Sequence, residues 1–245
     1  MNFSSKEHLE LYLKGLKELG FGSQGVVYQD KKNNKAIKIY DLFLDGDEEE
    51  YMYDKNEILR FNNIVNDTYV FPEDVVSINN KVVGYISKYV QGKSLYKINP
   101  LLIKLDDFTN SINSVIKDTD KLTRESIATY DVMYNIMYIN KKFYIIDTDE
   151  YSYTFKDLKR LSKDNNSNFD TSIKYFLVDC LFDEFVESYK LLYEMYKDDY
   201  CDSITFLKEF KKLLSEYSGK EINKLHEVKN CTNKEKRIEK FIRYV

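Results

Sequence analysis

The first ninety residues alternate between helical and strand patterns. Apolar residues at helical spacing follow Ser4 and Ser5, either of which can cap a short helix. A second helix is predicted over about 47–63, and the acidic run 45–50 suits its N-terminal end. Segments rich in β-formers and separated by turn residues predict strands at 26–28, 36–40, 75–78 and 82–87.

Helical patterns dominate from residue 101 onwards. Helices are predicted at 101–116, 171–196, 203–217, 222–228 and 234–244. Two short strands, 135–138 and 143–146, surround a turn at 140–142, and the polar stretch 164–168 is predicted to be a loop. The order of elements predicts an α+β fold. We expect a lobe of antiparallel strands with one key helix over residues 1–90, and a mainly helical lobe over 91–245.

Composition excludes several classes of protein. The chain of 245 residues is 43% hydrophobic and 15% aromatic, which is enough for a packed core. A net charge of −4, with both signs mixed along the chain, gives no indication of nucleic-acid binding. Three widely spaced cysteines predict neither a zinc site nor a disulfide framework. No apolar run approaches a membrane span and no signal-peptide core is present, so we expect a cytoplasmic protein without membrane contact.

A glycine motif is the clearest sign of chemistry. Gly20, Gly22 and Gly25 have G-x-G-x-x-G spacing, which lets a backbone lie close over phosphates, and Lys38 follows one strand later. The glycines lie in a predicted hairpin and not between a strand and a helix, so the Rossmann interpretation loses its context. A Walker A loop is excluded because no Gly-Lys-Ser/Thr ends the motif.

Further residues in the same order resemble the protein-kinase-like superfamily between residues 19 and 149. Val27 matches the valine beyond the glycine loop that packs on adenine, and Ala36 with Lys38 matches the Ala-x-Lys of the third strand. The resemblance implies that Lys38 holds the α- and β-phosphates of ATP. It also implies that a helix glutamate, here Glu57, pairs with that lysine.

Residues 86–95 resemble the hinge between the two kinase lobes. The match implies that Ser87 is the gatekeeper, the residue at the back of the adenine site. It also implies that the backbone of Lys88 and of Val90 bonds the adenine edge.

A catalytic loop and a metal site are implied by three polar residues. Asp131 matches the aspartate that orients the attacking hydroxyl or accepts its proton. Asn135 and Asp147 match the two residues that bind Mg²⁺, and carboxylate and amide oxygens suit this cation.

The chain departs from the family pattern in several places. Thr129 and Tyr130 replace the His-Arg of His-Arg-Asp, and the spacing from Asp131 to its asparagine is one residue short. Asp147 opens an Asp-Thr-Asp sequence where the family has Asp-Phe-Gly, and Asp149 is expected to cap the next turn or to add a metal ligand. An Ala-Pro-Glu motif is absent. The helical lobe therefore resembles those of atypical protein kinases and of aminoglycoside or choline phosphotransferases.

The resemblance implies a phosphotransferase that uses ATP and Mg²⁺, with the Ser/Thr hydroxyls of protein as the favoured acceptor. A kinase of a small hydroxylated molecule is the first alternative, because fold does not choose the acceptor. A pseudokinase, which binds nucleotide as a regulatory module without turnover, is the second.

Overall fold

The computed structural model describes residues 1–22, 24–41 and 53–236. The chain forms two compact units, Met1–Gln91 with Ile146–Glu150, and Gly92–Ile145 with Tyr151–Val245. The first unit is mainly β and the second mainly helical, which confirms the predicted α+β class. The short segment Ile146–Glu150 comes after the boundary predicted at residue 90, yet it belongs to the first unit.

A six-stranded sheet is the framework of the first unit. Its strands are β1 (Asn2–Phe3), β2 (Lys17–Gly22), β3 (Gly25–Asp30), β4 (Lys35–Tyr40), β5 (Pro72–Ile78) and β6 (Lys81–Lys88). Their order in the sheet is β1-β5-β6-β4-β3-β2, with β1 parallel to β5 and the other neighbours antiparallel. The four strands predicted from the pattern are confirmed, and each is longer than predicted.

Asparagine makes the tight turn between β5 and β6 possible. Ile78 pairs with Lys81, so the turn contains only Asn79 and Asn80, with φ of 48° and 67°. Two successive positive φ values match the twist of a hairpin, and asparagine tolerates them better than most residues. The predicted hairpin is confirmed.

Strand β4 has two different faces, because side chains alternate along a strand. Ile37 and Ile39 belong to an apolar cluster with residues of helix α1 (Lys6–Lys14), whose N-cap is Ser5. Lys38 and Tyr40 therefore point to the opposite face, where Tyr40 packs with residues of β5 and β6. The packing of Ile37 and Ile39 on one face thus places Lys38 on the other, where the lysine is buried.

The helix predicted over 47–63 is shorter than expected in the described part of the chain. Helix α2 spans Lys55–Ile58, and the side chain of Asp54 caps it by accepting from Asn56 N at 2.7 Å. The predicted residues 47–52 lie outside the described residues. Turns follow the helix up to residue 63.

The second unit consists mainly of helices. Its α-helices are α3 (Leu105–Arg124), α4 (Leu158–Leu177), α5 (Asp183–Glu187), α6 (Lys190–Lys197) and α7 (Ser203–Ser218). A π-helical turn, Val178–Phe182, joins α4 to α5, and 3₁₀ turns lie at Leu95–Lys97, Pro100–Leu102 and Leu225–Cys231. Its strands are β7 (Lys93–Ser94), β8 (Ile127–Ala128), β9 (Ile136–Ile139), β10 (Lys142–Ile145) and β11 (Ser152–Tyr153). The predicted hairpin at 135–146 is confirmed, because β9 pairs with β10.

Several helix predictions need correction. The predicted loop at 164–168 is wrong, because these residues lie inside α4. The single helix expected over 171–196 is instead four segments, and the helix at 101–116 begins later, at Leu105, and runs to Arg124. The helix predicted at 222–228 is a 3₁₀ turn beginning at Leu225. Most of the helix predicted at 234–244 lies outside the described residues.

Aromatic side chains fill the core of the second unit. The rings of Phe108 and Phe143 are 5.2 Å apart, and those of Phe143 and Phe169 are 5.3 Å apart, both edge to face. These contacts join α3, the β9–β10 hairpin and α4 into one core. Within the described ranges, no helix is long and apolar enough to cross a membrane.

The close approach of β6 to β4 leads to a first prediction. A Cβ added at Gly84 would lie 2.0 Å from the carbonyl oxygen of Lys38, so Gly84→Ala must push the strands apart. We expect a loss of about 2–3 kcal/mol of unfolding free energy, measured by denaturant titration. Gly20→Ala is the matched control, because a Cβ there meets no heavy atom within 4 Å. Equal stability of the two variants would contradict the prediction.

Candidate active site

Lys38 is the centre of the candidate site in the first unit. It lies in β4, opposite Val27 of β3 and Tyr85 of β6, and only 4% of its surface is exposed. An ammonium group at this depth requires compensating negative charge and hydrogen-bond acceptors.

Two carboxylates provide that charge. Lys38 Nζ lies 2.5 Å from Asp147 Oδ1 and 3.6 Å from Asp149 Oδ1. The Asp147 side chain is 31% exposed, whereas that of Asp149 is 8% exposed. Burial raises the pKa of Asp149, and the Lys38 ammonium opposes that shift. Both aspartates thus pair with the Lys38 ammonium, but Asp149 is more deeply buried than Asp147.

Two buried tyrosines hold the carboxylates in place. The Tyr85 hydroxyl donates to Asp147 Oδ1 at 2.9 Å, and the Tyr40 hydroxyl donates to Asp149 Oδ2 at 3.0 Å. Burial raises the pKa of both phenols, so they remain donors at neutral pH. Their rings also lie 5.8 Å (Tyr40) and 5.6 Å (Tyr85) from Lys38 Nζ, within the range of cation–π attraction.

The backbone of the Asp-Thr-Asp segment is fixed to the same unit. The hydroxyl of Thr148, which is 1% exposed, donates to the carbonyl of Val70 at 3.0 Å. Arg60 donates to the carbonyl of Asp149 at 3.2 Å. These contacts explain why Ile146–Glu150 belongs to the first unit.

The glycine motif lies in the β2–β3 hairpin, as predicted. Gly22 pairs with Gly25, and a Cβ at Gly25, whose φ is +154°, would lie 2.1 Å from the carbonyl oxygen of Ile39. By contrast, a Cβ at Gly20 or Gly22 would meet no heavy atom within 4 Å. Gly25 is therefore needed for packing, while Gly20 and Gly22 leave an open surface.

Gln24, next to Gly25, connects the glycine hairpin to the lysine. Its Oε1 accepts from Lys38 Nζ at 2.9 Å, and its Nε2 donates to the carboxylate of Glu150. The tip of the hairpin thus contacts the same ammonium as the two aspartates.

Glu57, the predicted partner of Lys38, is not brought to it. It is exposed on α2, and among the described residues the ion pairs of Lys38 are those with Asp147 and Asp149. Glu57 and Asp149 do line a common cavity of about 500 Å³. The expected lysine–glutamate pair is therefore absent from the described structure.

The remaining predicted nucleotide contacts lie on neighbouring strands of the same sheet. Ala36 pairs with the buried Ser87 across β4 and β6. Lys88 ends β6, and Val90 lies two residues later and is half-buried. Val27 is half-buried in β3, beside Lys38. Their roles in adenine binding stay predictions.

In the second unit, Asp131 and Asn135 lie together. Asn135 Nδ2 donates to the carbonyl of Asp131 at 2.9 Å and to its Oδ2 at 3.4 Å. Asp131 is exposed and has a φ of 46°, an uncommon conformation that aspartate tolerates better than most residues. The short loop therefore presents an exposed carboxylate and an amide side by side.

One buried side chain of α4 fixes the residues before this loop. Asn165 accepts from Thr129 N at 2.9 Å and from its hydroxyl at 3.2 Å. Its amide donates to Ile127 O at 2.9 Å and to the hydroxyl of Thr123 at 3.1 Å. All four hydrogen-bonding positions of the amide are used, which explains why an asparagine is buried there.

Comparisons with known proteins reveal a fold but no family. No protein-family model matches the chain, and no curated protein matches it. Chains of solved structures do match, including the kinase domain of PknI from Mycobacterium tuberculosis. That likeness has a TM-score of 0.52 at 12% sequence identity and covers 80% of this chain and 94% of that chain. The fold is therefore bilobal and protein-kinase-like, as the motifs predict.

Sequence reasoning missed part of this site. Tyr40 and Tyr85 were not predicted to contribute, although Tyr40 is two residues from Lys38 and thus on the same face of β4. Asn165 was assigned to a loop. Asp149 was expected to cap a turn or bind metal, but its carboxylate lies buried against Lys38 and Tyr40.

The Asn165 network leads to a second prediction. Asn165→Leu leaves the buried amide of Thr129 and the carbonyl of Ile127 without this partner. We expect a loss of about 2–5 kcal/mol of unfolding free energy, since each unsatisfied buried group costs about 1–3 kcal/mol. Asn166→Leu is the control, because among the described residues the hydrogen bonds of the Asn166 amide are to Ser162 of its own helix. Denaturant titration of both variants measures the difference, and similar losses would contradict the proposed role of Asn165.

Proposed function

We propose that this chain is an ATP- and Mg²⁺-dependent phosphotransferase, most specifically a protein kinase of atypical type that acts on Ser/Thr hydroxyls. The observation that carries the proposal is the buried Lys38 ammonium, which contacts Asp147 and the glycine hairpin within one unit. An ammonium held beside an open glycine surface suits a chain of phosphates.

Binding of the nucleotide is assigned to the first unit. Lys38 would neutralise phosphate charge, and Gly20 and Gly22 offer backbone without side chains where a polyphosphate needs close approach. Val27, Ala36, Ser87, Lys88 and Val90 are proposed to bind the adenine by the family resemblance. These groups can position the nucleotide and neutralise its charge, and the protein itself then needs to do little covalent chemistry.

The donor atoms available suit Mg²⁺. Among the described residues, no group of three or more His, Cys, Asp or Glu side chains converges as a metal site. Mg²⁺ bound to a nucleotide needs only one or two carboxylates, because phosphates and water complete its shell. By the family resemblance, Asp147 and Asn135 are the proposed ligands. When bound, the cation neutralises charge on the transferred phosphate.

Asp131 is proposed to orient the acceptor hydroxyl. Its exposed carboxylate accepts from Asn135, which limits its rotation. It can take the proton of the acceptor hydroxyl as that oxygen bonds to the γ-phosphorus of ATP, the bond to the β–γ bridging oxygen breaks and ADP leaves. Asp131 is thus the proposed general base of the loop.

A third prediction tests this role. Asp131→Asn keeps the size of the side chain and tolerates the positive φ, but it cannot accept the proton. We expect transfer from γ-labelled ATP to a generic protein substrate to fall by roughly 10²–10⁴-fold with nucleotide affinity retained. Asp199→Asn, another exposed aspartate of the second unit, is the control and should transfer at the wild-type rate.

The outcomes separate the alternatives. Label on Ser or Thr of the protein supports the proposal. Label found only on an added small molecule, such as an aminoglycoside or choline, would show that the acceptor is a small molecule. The proposed phosphoryl transfer from ATP would then still hold. Nucleotide binding without phosphate transfer by the wild-type protein would establish the pseudokinase alternative. It would overturn the proposal that the protein is an enzyme.

A further inference from the structure

The lysine of the candidate site has a buried anionic partner that differs from the one implied by the family resemblance. Glu57 is exposed, whereas the side chain of Asp149 is 8% exposed and lies 3.6 Å from Lys38 Nζ. A buried charge interacts more strongly than an exposed one, because less solvent screens it.

Asp149 is held through both its side chain and its backbone, whereas the hydrogen bonds from Lys38 and Tyr85 hold Asp147 by its side chain. The Tyr40 hydroxyl binds its Oδ2, Arg60 binds its carbonyl, and the preceding Thr148 is bonded to Val70 O. Asp147 has the shorter contact with Lys38, but its side chain is 31% exposed. It is thus the more accessible of the two carboxylates to a ligand.

We propose that Asp149, held by Tyr40, is the positioning residue for Lys38, in the role that the family resemblance gives to Glu57. This inference rests on the proposed function only in so far as Lys38 binds phosphate. Asp147 is then free to exchange its contact with Lys38 for a cation, while Asp149 keeps the ammonium in place. The Asp-Thr-Asp sequence thereby supplies a metal ligand and a lysine partner from one short segment.

A double-mutant cycle in the nucleotide-free protein tests the pairing independently of activity. Lys38→Met, Asp149→Asn and the double variant are unfolded in denaturant. We expect the unfolding equilibrium constant of the double variant to differ from the product of the single effects by about tenfold, in the direction of greater stability. This sign is expected because Lys38→Met alone leaves Asp149 buried without its cation.

Two further cycles are matched to the first. Lys38→Met with Asp30→Asn is the control, because Asp30 is also buried and also accepts from a tyrosine, Tyr12, at 3.1 Å. Lys38→Met with Glu57→Gln tests the alternative partner. Both should be additive to within about twofold. Coupling to Glu57 as large as that to Asp149, or no coupling to Asp149, would overturn the inference.

Tyr40→Phe provides a milder route if Asp149→Asn does not fold. It removes only the hydroxyl that donates to Asp149. We expect Tyr40→Phe and Lys38→Met to be coupled by about threefold or more in the unfolding equilibrium constant. This is on the order of the coupling between the weakest pairs of residues in contact. Additivity of this pair would count against the positioning role.

Kinetics then relate the pairing to the proposed function. We expect Asp149→Asn to lower kcat about tenfold or more with a smaller change in KM for ATP. The reason is that a misplaced binding group mainly reduces the stabilisation of the transition state. An unchanged kcat in an active protein would overturn the positioning role. If the wild-type protein transfers no phosphate, the proposed function fails, while the stability cycles still decide whether Asp149 is the partner of Lys38.

Discussion

The burial of one ammonium group, that of Lys38, is the constraint on which the candidate site depends. Ile37 and Ile39 pack toward α1, so the strand must place the intervening lysine on the opposite face. A buried ion whose partner is removed costs about 3–5 kcal/mol, which is a large part of the stability of an ordinary domain. The apolar core of the first unit therefore makes an anionic partner for Lys38 a requirement of folding as well as of chemistry.

That requirement explains why the segment 146–150 belongs to the first unit. Asp147 and Asp149 both reach the ammonium, and the residue between them, Thr148, donates to the carbonyl of Val70. Without the charge of Lys38, the two neighbouring carboxylates would repel each other. They would also be poorly solvated beside the two buried tyrosines. The lysine and the Asp-Thr-Asp sequence are thus parts of one electrostatic unit.

Local signals predicted the strands and turns well, because their causes are local. The Asn79–Asn80 turn needs only residues that tolerate positive φ, and the β-rich segments beside the glycines predict their hairpin. The partner of Lys38 was not predictable in this way, since motif order states which residues follow one another and says nothing about burial. The prediction of a loop at 164–168, an asparagine-rich stretch of α4, was wrong for a related reason. Asn165 disfavours helix in isolation, but its tertiary hydrogen bonds compensate for that preference.

The backbone supports a functional interpretation of two acids that the motifs identified. Asp131 and Asp147 have φ of 46° and 60°, in the left-handed region that costs a residue with a side chain about 1–2 kcal/mol. Neither conformation is needed for a two-residue hairpin turn, in contrast to Asn79 and Asn80. A conformation of this cost persists only where surrounding contacts determine it. For Asp147 those contacts are Lys38 and Tyr85, and for Asp131 they include Asn135. Both carboxylates to which we assign chemistry therefore have this conformation, which Ser126 also adopts just after α3, and the contacts of Asp131 and Asp147 also orient their oxygens.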